Sequence, residues 1–292
     1  MKKFTIIGAN SNLARNFICF LEDKNVELKL YDVQDCHFDG REGYSRINFL
    51  DMDEVKKIDF DCDAAFVFSG VTGAERSVKE TNLFIDVNEK VLVNILNAVK
   101  ECGSKCRVVY PSSRLVYKDG VGAHKETDPL EGKSVYALNK IFAEKYIEIF
   151  SATFGLEYTI FRIAIPFGEL NSSAQKYGIV SKLLEQGENG KITLFGDGGG
   201  VRTFTHIRNI CEALYYGCDK QETLNGIFNI GGCAYTFLEL AKLISEKTGG
   251  KIDFIEWPEN AYKVEVLNGN LDSSRLDSIL DIKYVDIKET LF

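Results

Sequence analysis

The sequence predicts an α/β protein, a mostly parallel, doubly wound sheet followed by a smaller C-terminal lobe. Three observations predict it. Short apolar runs alternate with longer amphipathic or polar segments. The runs are almost continuously apolar, as strands are when helices cover both faces of a sheet. The first run ends in "GANSNLAR", a glycine turn leading into a helix, which is how a dinucleotide-binding chain begins.

Phe4 to Ile7 is read as the first strand, although two lysines precede it. Four apolar residues are too few for the core of a secretory leader, and the run stops at a turn. Leu28 to Tyr31, Ala64 to Phe68, Val108 to Tyr110 and Thr159 to Ala164 follow as further strands. After Ala164 the regularity changes. "PFGELNSSAQKYG" and "FGDGGGVR" are rich in turn residues and are separated by one helix, Ile179 to Gln186. A strand, Gly226 to Ile230, and a helix, Phe237 to Thr248, then precede a polar tail. The expected division is a nucleotide domain over residues 1–165, to which 201–230 returns, and a substrate lobe made of 166–200 and 231–292.

With 292 residues, 45% of them hydrophobic, the chain can bury a large core. A net charge of -8, with no basic run interleaved with aromatics, argues against nucleic acid as a partner. No stretch approaches ~18 consecutive apolar residues, so no membrane span is expected, and the expected location is cytoplasmic. Eight cysteines are scattered without a C-x-x-C pair and with only three histidines, a pattern of buried free thiols rather than of a metal site.

A phosphate loop needs a tight strand-to-helix turn, close backbone approach to the pyrophosphate, and a helix N-terminus facing the anion. Gly8 supplies the turn. Ser11 and Ala14 stand where G-x-x-G-x-x-G would carry its later glycines, and both are small. Asn10 and Ser11 also suit a helix cap, so the loop alone fits an ordinary strand-helix turn as well. Asp32, at the end of the second strand, tips the balance. A carboxylate there accepts from both ribose hydroxyls of NAD and repels the extra phosphate of NADP. Gly8 and Asp32 together favour NAD.

"SVYALNK" places Tyr136 and Lys140 at i and i+4, on one helix face. An ammonium near a phenol lowers the phenol's pKa from about 10 toward working pH, so that it trades protons with a substrate hydroxyl or carbonyl. The spacing is not specific by itself. Tyr216 with Lys220 and Tyr284 with Lys288 repeat it, but neither follows a strand ending in hydroxyl residues. Tyr136 does: "RVVYPSSRLVY" ends a strand in Ser112 and Ser113, and a hydroxyl there can share the substrate oxygen and stabilise developing charge.

In this order and on these element types, Gly8, Asp32, Ser113, Tyr136 and Lys140 resemble the extended branch of the short-chain dehydrogenase/reductase superfamily. More narrowly, the chain resembles the NAD-dependent nucleotide-sugar epimerase/dehydratase family, from Phe4 to about Gly232 and more loosely through "NLDSSRL". The resemblance implies a Rossmann-like fold with NAD on the loop of Gly8, Asn10, Ser11, Asn12 and Leu13. It implies catalytic roles for Ser113, Tyr136 and Lys140, the last two also touching the cofactor. "INFLD" is similar to the family's adenine-contacting G-D-[IL]-x-D, which puts Asn48 and Phe49 beside the adenine. "FVFSG" is similar to the strand whose end passes along the cofactor, bringing in Phe68, Ser69 and Gly70. "VNEKVLVNIL" resembles N-V-x-G-T-x-N-L-L, with Asn88 as its first Asn. "FGDGGGVRTFTHI" resembles G-D-G-x-x-x-R-x-F, so Arg202 would clamp the diphosphate of a nucleotide sugar.

There are departures. The loop lacks two glycines, and Ile165 stands where the family usually has an Asn that touches the substrate. The implied activity is epimerisation of a nucleotide-diphosphate sugar at C4 through a 4-keto intermediate. The alternatives are an NAD(P)H-dependent 4-ketosugar reductase and a non-catalytic dinucleotide-binding regulator. Loss of water is not expected. The Asp-Glu pair that commonly serves dehydratases directly after the Ser/Thr is Arg114 and Leu115 here, and neither does general acid/base work. Glu126 and Asp128, in "ETDP", read as a turn. A homodimer through the helices near 88–101 and 135–150 is also implied by the resemblance.

Overall fold

Burial of both faces of the first strand, from Phe4 to Ile7, sets the architecture. The computed structural model describes residues 1–120, 122–174 and 178–291; residues 175–177 of the expected turn-rich stretch lie outside the described residues. The strands in chain order are β1 (Lys2–Ile7), β2 (Val26–Asp32), β3 (Tyr44–Arg46), β4 (Ala64–Val67), β5 (Arg107–Ser113) and β6 (Tyr158–Ile163). They continue with β7 (Ile165–Phe167), β8 (Lys191–Phe195), β9 (Val201–His206), β10 (Gly226–Asn229), β11 (Cys233–Thr236) and β12 (Lys251–Ile255). The longer helices are α1 (Asn12–Phe20), α2 (Val91–Cys102), α3 (Val135–Phe154), α4 (Ile179–Glu188), α5 (Ile207–Gly217) and α6 (Phe237–Thr248).

Phe4 and Ile6 face one side of the large sheet, where they meet Phe17 of α1 and Ile210 and Leu214 of α5. Ile7 faces the other, with Leu92, Ile95 and Leu96 of α2 and Ala143 and Ile147 of α3. Burial on both faces explains the continuous apolar runs. The sheet has seven strands in the order β10-β6-β5-β4-β1-β2-β3, and every pair in it is parallel. The fold is therefore Rossmann-like. β1 lies between β2 and β4, so the direction of winding reverses there and a crevice opens at the carboxyl ends of β1 and β4.

β5 runs from Arg107 through Pro111 to Ser113, so the apolar run Val108 to Tyr110 continues into the expected hydroxyl end. A proline inside a central strand is unusual because it cannot donate to the ladder. Here β4 pairs with β5 only as far as Val109, while β6 accompanies it to Ser113. Pro111 thus has one neighbouring strand, and the missing N–H is tolerated on the open side.

The smaller lobe has its own core of Phe167, Leu183, Ile192, Phe204, Leu240 and Ile244. It carries a three-stranded sheet, β11-β9-β7, and a parallel pair, β12-β8. The chain rejoins the large sheet at β10, whereas β9 belongs to the lobe. The tail, read as polar, is not. β12 pairs in register with β8, Leu276 and Leu280 fill the core under the large sheet, and Ile287 and Leu291 enter the lobe core. Its apolar residues are spaced too widely, on elements too short, to show a period.

Candidate active site at the strand switch point

Gly8 is required at the end of β1. Its φ is +82°, and a Cβ there would lie 2.3 Å from the Ser69 backbone nitrogen. The ends of β1 and β4 therefore nearly touch, and α1 starts beside them with Ser11 as its N-cap, whose hydroxyl accepts from the Ala14 N–H at 3.3 Å. Ser11, Asn12 and Leu13 line the adjoining cavity, placing a helix N-terminus on its wall. Phe68, Ser69 and Gly70 line it from the β4 side. The Ser69 hydroxyl is buried and has no hydrogen-bond partner among the described residues. A cradle that a Cβ would fill, an orphaned hydroxyl and a helix N-terminus together fit a bound dinucleotide.

Asp32 is buried at the end of β2, where its carboxylate accepts the backbone N–H groups of Asn10 at 2.9 Å and Val33 at 2.7 Å. Each oxygen keeps a lone pair for a ribose hydroxyl. The Asn10 side chain holds the following loop, donating to the Cys36 carbonyl and accepting from the Phe38 N–H. Asn48 bonds the Leu50 N–H. Phe49 does not reach outward. Its ring is core on the α2 side and its carbonyl accepts from Asn94, so the expected adenine contact is not open to the ring. Asn88 sits on a π-turn, Asp86–Lys90, within a helical run. It clamps the loop after β4 by pairing both ways with the Val71 backbone, at 2.8 and 3.0 Å. Asn88 thus supports the cavity wall that Ser69 and Gly70 form.

Ser113, Tyr136 and Lys140 line the same cavity. Ser113 ends β5, and its oxygen accepts from the Leu115 N–H at 3.2 Å, which leaves the hydroxyl hydrogen to donate. Tyr136 enters in the first turn of α3, which Ser134 caps by accepting from the Ala137 N–H at 3.1 Å. Lys140 is one turn further on. Its ammonium lies 5.9 Å from the centroid of the Tyr136 ring, close enough to bias the phenol through space. It donates to the Pro111 carbonyl at 2.8 Å and to the Tyr110 hydroxyl at 3.0 Å. Burial pulls the Lys140 pKa from the usual 10.5 down to about 7, with the charge of Glu144 pulling the other way. Ser112, the neighbour of Ser113, is structural. It donates to Glu144 at 2.5 Å, and Glu144 forms a fully buried pair with Arg162 at 2.7 Å.

The cavity holds about 1120 Å³, enough for a cofactor and a sugar together. Ile165 forms part of its wall. Arg202 stands one layer behind. It is 1% exposed, its Nε has no partner among the described residues, and its guanidinium lies 3.5 Å from Glu265, a residue that does line the cavity. Arg114 shares the same carboxylate at 3.0 Å. Burial and the charge of Arg114 push the Arg202 pKa down to about 10. Two guanidiniums on one carboxylate leave this wall positive, as a diphosphate needs.

Sequence reasoning missed much of the lobe side: Lys182, Gln186, Phe195, Phe237, Trp257 and Glu265 all line the cavity. Phe195 immediately precedes the Gly-Asp-Gly run that was singled out, and that was its signal. Glu265 had none, since its partners are 151 and 63 residues away.

The sequence model of the NAD dependent epimerase/dehydratase family matches residues 4–231. A putative UDP-glucose 4-epimerase of Methanocaldococcus jannaschii is 25% identical over 251 residues, 82% of this chain and 78% of that protein. In three dimensions the chain is similar to Pal from Bacillus thuringiensis, with a TM-score of 0.87 and 16% identity over 99% of this chain and 96% of that one. It is also similar to the UDP-glucuronic acid 4-epimerase of Bacillus cereus solved with UDP-glucuronic acid and NAD. The TM-score there is 0.84, with 18% identity over 99% of this chain and 96% of that one.

Proposed function

Because the chain belongs to the NAD dependent epimerase/dehydratase family, we propose that it inverts C4 of a nucleotide-diphosphate sugar. One observation carries the reading: Ser113, Tyr136 and Lys140 converge on a single large cavity at the strand switch point, beside a cradle that fits NAD. When bound, NAD supplies the hydride acceptor and donor that let the sugar pass through a 4-keto form. Tyr136, as the phenolate, takes the proton of the 4-hydroxyl, and the resulting phenol returns it after inversion. The Ser113 hydroxyl donates to the same oxygen and stabilises its charge. Lys140 biases the phenol toward its ionised form and reaches the cofactor side of the cavity. Arg202 and Arg114 hold the diphosphate end electrostatically, with Glu265 between them. The named relatives that act on UDP-glucose and UDP-glucuronic acid make a UDP-sugar the first substrate to try.

Leu138, Phe142 and Ile149 stand exposed on one face of α3, at 40%, 46% and 57%. They support a homodimer through α2 and α3. The eight cysteines are all free, which suits a reducing compartment such as the cytoplasm.

The experiment that separates an epimerase from a 4-ketosugar reductase is release of cofactor from freshly purified protein. An epimerase regenerates NAD in every cycle and retains it, so near-stoichiometric NAD is expected in the acid-released supernatant. Protein that purifies empty and consumes NADH in proportion to product is a reductase.

A further inference from the structure

Lys140 is a buried amine whose hydrogen bonds, among the described residues, go to neutral groups. Its ammonium donates to the Pro111 carbonyl and the Tyr110 hydroxyl, and it lies 4.4 Å from the centroid of the Tyr110 ring against 5.9 Å for Tyr136. The titratable and charged groups around it come from four elements. On α3 these are Tyr136 and Glu144, and on β5 Tyr110. On β6 Arg162 is paired with Glu144, and on the π-turn Glu89 accepts from Asn139. Glu144 is already occupied by Arg162 and Ser112, so it reaches Lys140 only through space. Tyr110 bonds the ammonium directly and presents the nearer ring. It is 2% exposed and sits three residues before Ser113 on the same strand.

We propose that Tyr110 is the positioning residue of Lys140, fixing where the ammonium points and favouring its charged form; this rests on the catalytic reading of Ser113, Tyr136 and Lys140. A hydroxyl that accepts from an ammonium stabilises the charge, and an aromatic face at this distance does so as well. Because burial brings Lys140 close to neutrality at working pH, a single such bond decides how much of the enzyme carries the ammonium. Tyr110 therefore sets the alkaline edge of activity without touching substrate.

The test is Tyr110→Phe, which keeps the ring and removes the acceptor. Pulse labelling with acetic anhydride across a pH series, read at Lys140 by peptide mass spectrometry, gives the lysine midpoint with neither substrate nor turnover. The midpoint is expected near pH 7 in the parent and about one pH unit lower in the variant, the size expected for one lost hydrogen bond to a charged group. The alkaline limb of kcat should move by the same amount. An unmoved midpoint overturns the proposal, as does a rate that falls equally at all pH values with the limb in place, which is what a loosened core would give. If the parent turns over no nucleotide sugar, the functional reading fails, and the labelling midpoint still decides the role of Tyr110.

Discussion

Tyr136 is one of three tyrosines followed four residues later by a lysine, and its surroundings alone distinguish it. Tyr216 is 45% exposed, and Tyr284 bonds Asp277 and the Gly231 N–H. Only Tyr136 lines the cavity. Tyr136→Phe should lower turnover on the order of a hundredfold or more while NAD titrates as in the parent; Tyr216→Phe should leave turnover unchanged. Steady-state rates and a cofactor titration check both. Lys140 makes a second prediction at this scale. It is charged below about 7 in the folded state and below 10.5 in the unfolded state. The unfolded chain therefore binds more protons between these values, and stability rises with pH across that window. Below about pH 7 the cost of burying the charge is present in full. Denaturant unfolding of Lys140→Met should show it more stable than the parent near pH 6 by a few kcal/mol, with the gap closing as pH rises toward 10. A gap independent of pH would contradict the assignment. The spacing of Tyr136 and Lys140 was legible in the sequence. The hydrogen bond from Lys140 to Tyr110 was not, because it joins a helix to a strand 30 residues away.

At the scale of elements, only the first glycine of the modified phosphate loop is irreplaceable. Gly8 has the left-handed backbone and no room for a Cβ, whereas Ser11 is spent on capping α1. Gly8→Ala should cost about 1–3 kcal/mol in strain and weaken NAD at least tenfold by separating β1 from β4. Ser11→Gly should cost only a few tenths of a kcal/mol and leave NAD affinity intact. Melting curves and titration of the apo-protein read both. Asp32, at the neighbouring strand end, should make NAD bind better than NADP through repulsion of the added phosphate, and Asp32→Asn should narrow the ratio. Equal affinities in the parent would remove Asp32 from that role. Six of the seven strands of the large sheet, and α6, were legible in the sequence, whereas β3, three residues at the sheet edge, was not. The π-turn at Asn88 was not, since an extra residue in a helical turn leaves the apolar pattern almost unchanged. Nor was β12, whose partner β8 is 60 residues earlier in register.

For the whole molecule, the reversal of winding at β1 brings Gly8, Ser69, Ser113 and Tyr136 to one crevice, and the lobe adds Glu265, which carries no local signal. The alternation of strands and helices indicated the class of fold, but the lobe is held by distant pairs such as Arg114 and Arg202 on Glu265. The same arrangement speaks to reaction type. Arg114, where a dehydratase acid would stand, is committed to Glu265. Neither Glu126 nor Asp128 is among the residues that line the cavity, so neither is placed to protonate a departing hydroxyl. The most direct measurement is incubation of the purified, NAD-loaded enzyme with UDP-glucose, UDP-N-acetylglucosamine and UDP-glucuronic acid, followed by proton NMR and mass spectrometry. At least one sugar should interconvert with its C4 epimer at unchanged mass, with no net consumption of NAD. A product lighter by one water at enzymatic rates, or no interconversion while NAD remains bound, would contradict C4 epimerisation.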